Sequence, residues 1–303
     1  MRGSVINRLW LLRYSIYLFA CISLAPNISS ADETSAFFTR LKLYAEIANA
    51  AYLPELEARG IIEAQGYRLT QYRSVEGVEV NYLLATNDAL KHQIIAVRGT
   101  ANVENAIADL SLKLLPDKHA HIALHQGFAQ AAEGVYQGAL PLLKKNYTIS
   151  TTGHSLGGAI AVILSMYLSV DQYSLGPIIT FGQPKVTNVR GALVYQNLDI
   201  IRVVTSQDLV PLLPPVDVID INDLDIYWHL GKEIILMNGH DYAVLEGVKS
   251  MMRATRVLNA KLSQENLEKH KMAGYIDQVD SKVESANPVH YKTGIDLLKL
   301  FGE

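Results

Sequence analysis

The stretch at residues 147–158, YTISTTGHSLGG, determines the predicted fold of this chain. It contains the pattern G-x-S-x-G, with an apolar strand candidate directly before it and an apolar, small-residue helix candidate directly after it. A serine at such a junction stands on a turn so tight that the residues two places away need to be glycine. The pattern therefore predicts a nucleophile elbow, and the alternative is a glycine-rich turn with an incidental serine. The elbow residues are Gly153, His154, Ser155, Leu156 and Gly157.

Helix and strand patterns alternate on both sides of the elbow. The predicted helices are 37–52, 127–144, 159–170, 189–197 and a helical stretch from 242 to 275. The predicted strands are 78–84, which alternates as a half-buried strand, 94–97, 147–152, 178–181, 199–205, 216–221 and 226–237. Such alternation predicts an α/β fold of the α/β-hydrolase type, with a mostly parallel central sheet and helices on both faces.

Length and composition indicate one catalytic domain, 32–303. The chain has 303 residues, of which 49% are hydrophobic and 19% charged, so it can bury one sizeable core. A net charge of -3 gives no electrostatic reason to expect a nucleic-acid partner.

The N-terminal segment 1–31 has the pattern of a secretory signal. Arg2, Arg8 and Arg13 precede an uncharged stretch, and small residues follow just before Asp32. We therefore expect a secreted or periplasmic protein, with an uncleaved anchor as one alternative. The single cysteine, Cys21, follows Leu-Phe-Ala, so attachment of a lipid anchor there is the other alternative.

A serine nucleophile needs a histidine to take its proton and a carboxylate to orient that histidine. Asp208 is the best acid, because it follows an apolar strand at the end where ligand sites of α/β sheets collect. For Asp199, at the other end of that strand, and for the aspartates at 217, 220, 223 and 225, a solvated carboxylate is the simpler interpretation. Four histidines follow the acid, and their chemistry alone does not choose among them: His229, His240, His270 and His290.

The chain resembles the class 3 lipase family, which includes fungal triacylglycerol lipases and feruloyl esterases. The segments that carry the resemblance are 98–100 (RGT), 125–128 (HQGF), 153–158 (GHSLGG), 181–184 (FGQP) and 208–215. The resemblance implies that His270, which is followed by an aromatic residue at 275, is the catalytic histidine and that His229 is structural. It also implies that Thr100 supplies an oxyanion donor beside the N–H of Leu156, which begins a helix.

A short amphipathic helix after Thr100 is the candidate lid, since Asn102 can cap it and apolar residues share one of its faces. Those residues are Val103, Ala106, Ile107 and Leu110. Family members have their mobile lid here, often with Trp where this chain has Ala106, so we expect weaker interfacial activation. An ordinary surface helix packed on the core is the alternative.

The expected function is that of a secreted carboxylic-ester hydrolase, a triacylglycerol lipase that forms an acyl-enzyme without a metal or cofactor. A phospholipase of the A or B type and a phenolic-acid (feruloyl) esterase are alternatives, and a catalytically inactive lipid-binding protein is a further one. The expected partners are a lipid or other acyl-ester substrate and, transiently, lipid aggregates or a membrane surface. No obligate protein partner is evident.

Overall fold

A nine-stranded sheet forms the centre of the part of the chain that the structure describes. The computed structural model describes residues 30–78, 80–99, 113–214, 226–254 and 264–292. Its strands are β1 (Arg68–Val75), β2 (Val80–Asn87), β3 (His92–Val97), β4 (Leu114–Pro116), β5 (Ala123–His125), β6 (Thr148–His154), β7 (Ser174–Phe181), β8 (Thr187–Asn188), β9 (Ile200–Thr205), β10 (Tyr227–Trp228), β11 (Lys232–Leu236), β12 (Asp241–Leu245) and β13 (Asn287–Pro288). The central sheet has the order β1-β2-β3-β6-β7-β9-β11-β12-β13.

The middle of this sheet is parallel, as predicted. Strands β3, β6, β7, β9 and β11 run in parallel, while β1, β2 and β12 join the sheet in antiparallel pairs. A smaller antiparallel sheet, in the order β10-β8-β5-β4, lies apart from it. The predicted α/β-hydrolase architecture is confirmed.

Helices cover both faces of the central sheet. They are α1 (Ser30–Ala50), α2 (Glu55–Ala64), α3 (Gln126–Ala139), α4 (Leu156–Val170), α5 (Val189–Val194), α6 (Gly247–Ala254), α7 (Gln264–Lys269) and α8 (Met272–Val283). Side chains of α3 and α4 pack in one hydrophobic core, and those of α1, α2 and α8 pack in a second. Residues of β3 alternate between the two cores, with Ile95 and Val97 in the first and Ile94 and Ala96 in the second. This explains why an uninterrupted apolar run forms the strand.

Several predictions about individual elements were wrong. Strand β2 is buried on both faces rather than half-buried, because its own residues also divide between the two cores. The stretch 226–237 is two strands, since Gly231 has φ +70° and its backbone lies against Ile200. Residues 241–245, at the start of the predicted helical stretch, form β12 because they pair with β11 as an antiparallel strand.

Other predictions remain open. The strand 216–221 lies outside the described residues, as does nearly all of the signal segment 1–31, which stays a prediction. None of the helices within the described ranges combines the length and the apolar character that crossing a bilayer requires.

Candidate active site

Ser155 lies at a strained turn between β6 and α4. Its φ of 58° and ψ of -131° are uncommon for a residue with a side chain, and its N–H donates to Phe181 O at 2.9 Å. The two glycines make this turn possible. A Cβ on Gly153 would lie 2.5 Å from the Gly157 backbone, and a Cβ on Gly157 would lie 2.1 Å from Val97 O. The elbow geometry predicted from the sequence is therefore present.

Asp208 and His270 meet beside this turn. Asp208 follows β9 on a short loop, and His270 lies between α7 and α8, with exposed fractions of 0% and 2%. His270 Nδ1 lies 2.7 Å from Asp208 Oδ2. Since an ionised carboxylate can only accept, Nδ1 carries the imidazole proton and Nε2 is an acceptor. The other predicted candidates in this part of the chain have different contacts: His229 Nε2 bonds Pro211 O, and His240 Nδ1 bonds Ser281 O.

Two buried polar atoms near this turn have no hydrogen-bond partner among the described residues: Ser155 Oγ and His270 Nε2. The imidazole of His270 lies against Gly182, where a Cβ would come within 2.8 Å of its Cε1. Gly182 directly follows Phe181, whose carbonyl holds the Ser155 N–H. The structure thus places the His270 ring beside the turn that carries Ser155, and no hydrogen bond joins the two side chains among the described residues. Catalytic hydrogen bonds are often long in the absence of substrate.

Tyr275, which sequence reasoning did not assign a role, also contacts the acid. Its hydroxyl donates to Asp208 Oδ2 at 2.5 Å, while the Val210 N–H donates to Oδ1 at 2.9 Å. Burial, together with the neighbouring charge of Asp208, raises the pKa of Tyr275 well above its ordinary value. The tyrosine therefore stays protonated and remains a donor. Its sequence signal was the family resemblance, in which an aromatic residue shortly follows the catalytic histidine, here at position 275.

A buried ionic cluster supports the acid from behind. Arg253 donates to Glu233 Oε1 and to Thr205 O, both at 2.8 Å, and its Nη2 lies 3.5 Å from Asp208 O. Arg202 reaches the same carboxylate through Ser250. The partners of each arginine lie 20 to 48 residues away in the sequence, so no local pattern could have revealed the cluster.

Lys185 holds the loop that follows Asp208. Its ammonium donates to Pro214 O at 2.6 Å and to Leu212 O, and its N–H donates to Leu213 O at 2.8 Å. Burial, and then repulsion by Arg202, lower the pKa of Lys185 to about 7. Two buried basic side chains, Arg253 and Lys185, thus hold the two ends of the loop that contains Asp208.

The expected oxyanion site is described only in part. Leu156 begins α4, so its N–H has no carbonyl acceptor from an earlier helical turn and is available to a developing oxyanion. Gly99 lies beside the elbow, where its Cβ would come 3.1 Å from Ser155 Cβ. Thr100 and the predicted lid residues lie outside the described residues. In the described ranges, no cluster of His, Cys, Asp or Glu has the composition of a metal site.

Comparison with known proteins points to one family. The family described as Lipase (class 3) matches residues 94–218. The secreted mono- and diacylglycerol lipase 1 of Fusarium solani is 32% identical over 142 residues, which are 44% of this chain and 42% of that protein. The lipase of Rhizopus niveus is 29% identical over 222 residues, 64% of this chain and 56% of the relative. The chain spans about half the length of these curated relatives.

Solved structures show the same fold. The lipase from Rhizopus microsporus var. chinensis has a TM-score of 0.57 at 26% identity, over 71% of this chain and 80% of that one. Lipase II from Rhizopus niveus has a TM-score of 0.59 at 24% identity, over 68% and 83% of the two chains.

Proposed function

Since residues 94–218 match the family described as Lipase (class 3), we propose that this chain is a member of it and a serine carboxylic-ester hydrolase that acts on acylglycerols. Ser155 is the nucleophile, His270 the general base and Asp208 the acid that orients it. The observation that carries the proposal is the 2.7 Å hydrogen bond from His270 Nδ1 to Asp208, which leaves His270 Nε2 as a buried acceptor. Like the buried Ser155 hydroxyl, this atom has no hydrogen-bond partner among the described residues.

Acylation begins when His270 Nε2 takes the Ser155 proton as Oγ attacks the acyl carbonyl carbon. The Leu156 N–H stabilises the resulting oxyanion, and Thr100 supplies the second donor. Loss of one such donor typically lowers kcat by about 10²–10³-fold. His270 then passes its proton to the leaving alcohol oxygen, and the acyl group remains on Ser155.

Deacylation repeats the sequence with water. His270 takes a proton from water, the hydroxide oxygen attacks the acyl carbon, and the proton returns to Ser155 Oγ as the fatty acid leaves. Asp208 stabilises the imidazolium in both half-reactions. Its two other donors, the Val210 N–H and the Tyr275 hydroxyl, hold the carboxylate in place for this role.

Acylglycerols are the proposed substrate class because the relatives are named as lipases, one of them as a mono- and diacylglycerol lipase. Transient contact with a lipid surface and secretion directed by residues 1–31 are parts of the same proposal.

The experiment is fluorophosphonate labelling combined with a substrate panel, using the chain that begins at Asp32. We expect label on Ser155 and hydrolysis of tri- or diacylglycerols. Ser155→Ala should lower turnover by about 10⁶-fold with an unchanged fold. Ser174→Ala, an exposed serine at the start of β7, is the matched control and should be fully active. A wild-type chain that is neither labelled nor active would contradict the proposal, and preference for phospholipids or feruloyl esters would correct the substrate class.

A further inference from the structure

A chain of three hydrogen bonds, one buried and two partly buried, runs beside the turn that carries Ser155. The Gly99 N–H donates to Tyr52 Oη at 3.1 Å, Tyr52 Oη lies 2.9 Å from His154 Nδ1, and His154 Nε2 lies 2.7 Å from His270 O. One end is therefore the residue before Thr100. The other end is the backbone of the proposed general base.

The two ends of this series of hydrogen bonds determine which atom carries the hydrogen in each bond. A carbonyl oxygen can only accept, so His154 Nε2 carries the hydrogen that bonds His270 O. A neutral imidazole then accepts at Nδ1, so the Tyr52 hydroxyl donates there and accepts the Gly99 N–H. Burial lowers the pKa of His154 well below its ordinary value, and repulsion from the His270 ring, whenever that ring is protonated, lowers it further. His154 therefore stays neutral, which is the state that all three bonds require.

Close packing accompanies the hydrogen bonds. A Cβ on Gly99 would lie 2.6 Å from Tyr52 Oη and 2.8 Å from His154 O, so only glycine lets the end of β3 approach this closely. The rings of His154 and His270 lie 4.6 Å apart. Movement of either end would change the position of Ser155 relative to its base or to its oxyanion donors.

We propose that Tyr52 and His154 are positioning residues that hold the end of β3 and the His270 segment in fixed register around Ser155. This inference rests on the proposed function and deepens it. Neither residue touches the reacting atoms. Their effect is to keep a fixed distance between the backbone at Gly99, next to the expected oxyanion donor, and the backbone at His270 while the acyl group is transferred.

The protein offers a matched control at the other end of strand β3. Tyr67 Oη lies 2.7 Å from His92 Nδ1, and His92 Nε2 lies 2.9 Å from Ser150 Oγ. His92 is the first residue of β3, whereas Gly99 follows its last residue. Tyr67→Phe therefore removes the same kind of bond from the same strand, far from the site.

The experiment compares Tyr52→Phe, His154→Gln, their double variant and Tyr67→Phe. The Gln amide reaches as far as imidazole Nε2, so it keeps the bond to His270 O and breaks the bond to Tyr52. We measure kcat and KM on p-nitrophenyl butyrate per active site, titrated with fluorophosphonate, and stability by urea unfolding. Loss of one neutral hydrogen bond predicts about a tenfold lower kcat for each single variant, with KM unchanged. The double variant should also lose only about tenfold, because either change interrupts the same connection.

Tyr67→Phe should lose similar stability while keeping its kcat. The proposal is overturned if Tyr52→Phe and His154→Gln keep the wild-type kcat, or if their effects multiply in the double variant. Either outcome counts against the proposal only when the wild-type chain, assayed in parallel, hydrolyses the ester. A wild-type chain that takes no label and hydrolyses nothing overturns the proposed function and this inference together.

Discussion

Replacing Asp208 with asparagine tests the proposed triad sharply, because the shape is kept and the charge is lost. In the wild-type chain, Oδ1 accepts the Val210 N–H, while Oδ2 accepts from His270 Nδ1 and Tyr275 Oη. The amide must put its oxygen at one of these positions and its NH₂ at the other. A backbone N–H can only donate, so we expect the amide oxygen at Oδ1. The amide nitrogen then faces His270.

That orientation forces the imidazole proton onto Nε2, where it meets the Ser155 hydroxyl as a second donor. The histidine can no longer accept the serine proton. A wrong tautomer of this kind lowers kcat by about 10⁴-fold in a serine triad, which corresponds to about 5.5 kcal/mol in the activation barrier. The packing around residue 208 is retained, since Tyr275 can turn its hydroxyl to accept. We therefore expect the unfolding free energy to fall by only about 1–3 kcal/mol.

The assay is kcat for p-nitrophenyl butyrate, with the folded fraction measured by circular dichroism. Asp199→Asn is the control, because this exposed aspartate precedes the same strand at its other end. It should keep wild-type activity. Retention of more than roughly a tenth of kcat by folded Asp208→Asn would refute the tautomer argument, as would an equal loss in Asp199→Asn.

Three further changes test the packing around the site. Gly157→Ala puts a Cβ 2.1 Å from a backbone carbonyl oxygen, so we expect inactivation and an unfolding free energy lower by at least about 3 kcal/mol. The control is Gly274→Ala, where a Cβ meets open space and activity should be kept. An active Gly157→Ala would contradict the elbow geometry. Burial lowers the pKa of Lys185 from 10.5 to about 7, so between those values the unfolded chain binds more protons and stability rises with pH. This rise should be smaller in Lys185→Met, and equal pH slopes in urea unfolding would disprove it. Glu233→Gln removes the charge beside two buried arginines and should cost about 3–5 kcal/mol of unfolding free energy; thermal unfolding at wild-type temperature would contradict this.

The sequence predicted the centre of the molecule better than its edges. Strand β3, the elbow and α4 have long, apolar, locally consistent patterns, and Asp208 could be located because it directly follows a buried strand. His270 could be chosen over three other histidines only through the family resemblance. Its contact with Asp208 joins residues 62 positions apart, and residue chemistry does not encode such a distance.

The errors have a common physical origin. Strands β8 and β10 have two residues each, too few for any periodicity to appear. Strand β12 is short, and its place in the sheet depends on pairing with β11 after a turn at Gly239, which has φ +61°. Local preference did not identify it because its tertiary partner determines its conformation. Sequence reasoning likewise missed the contact between Tyr52 and His154, which spans 102 positions.

Ser155 Oγ and His270 Nε2 are buried and have no hydrogen-bond partner in the described part of the chain, and this arrangement makes sense only within the long-range framework. An unsatisfied buried polar atom costs about 1–3 kcal/mol, and the φ of 58° at Ser155 adds strain. Backbone bonds oppose relaxation of both, since Phe181 O holds the Ser155 N–H and His154 holds His270 O. If that framework were loosened, the hydroxyl could relax towards other partners and lose its alignment with the base. The stability of the surrounding network therefore maintains a reactive arrangement, and variants that relax it should lose kcat.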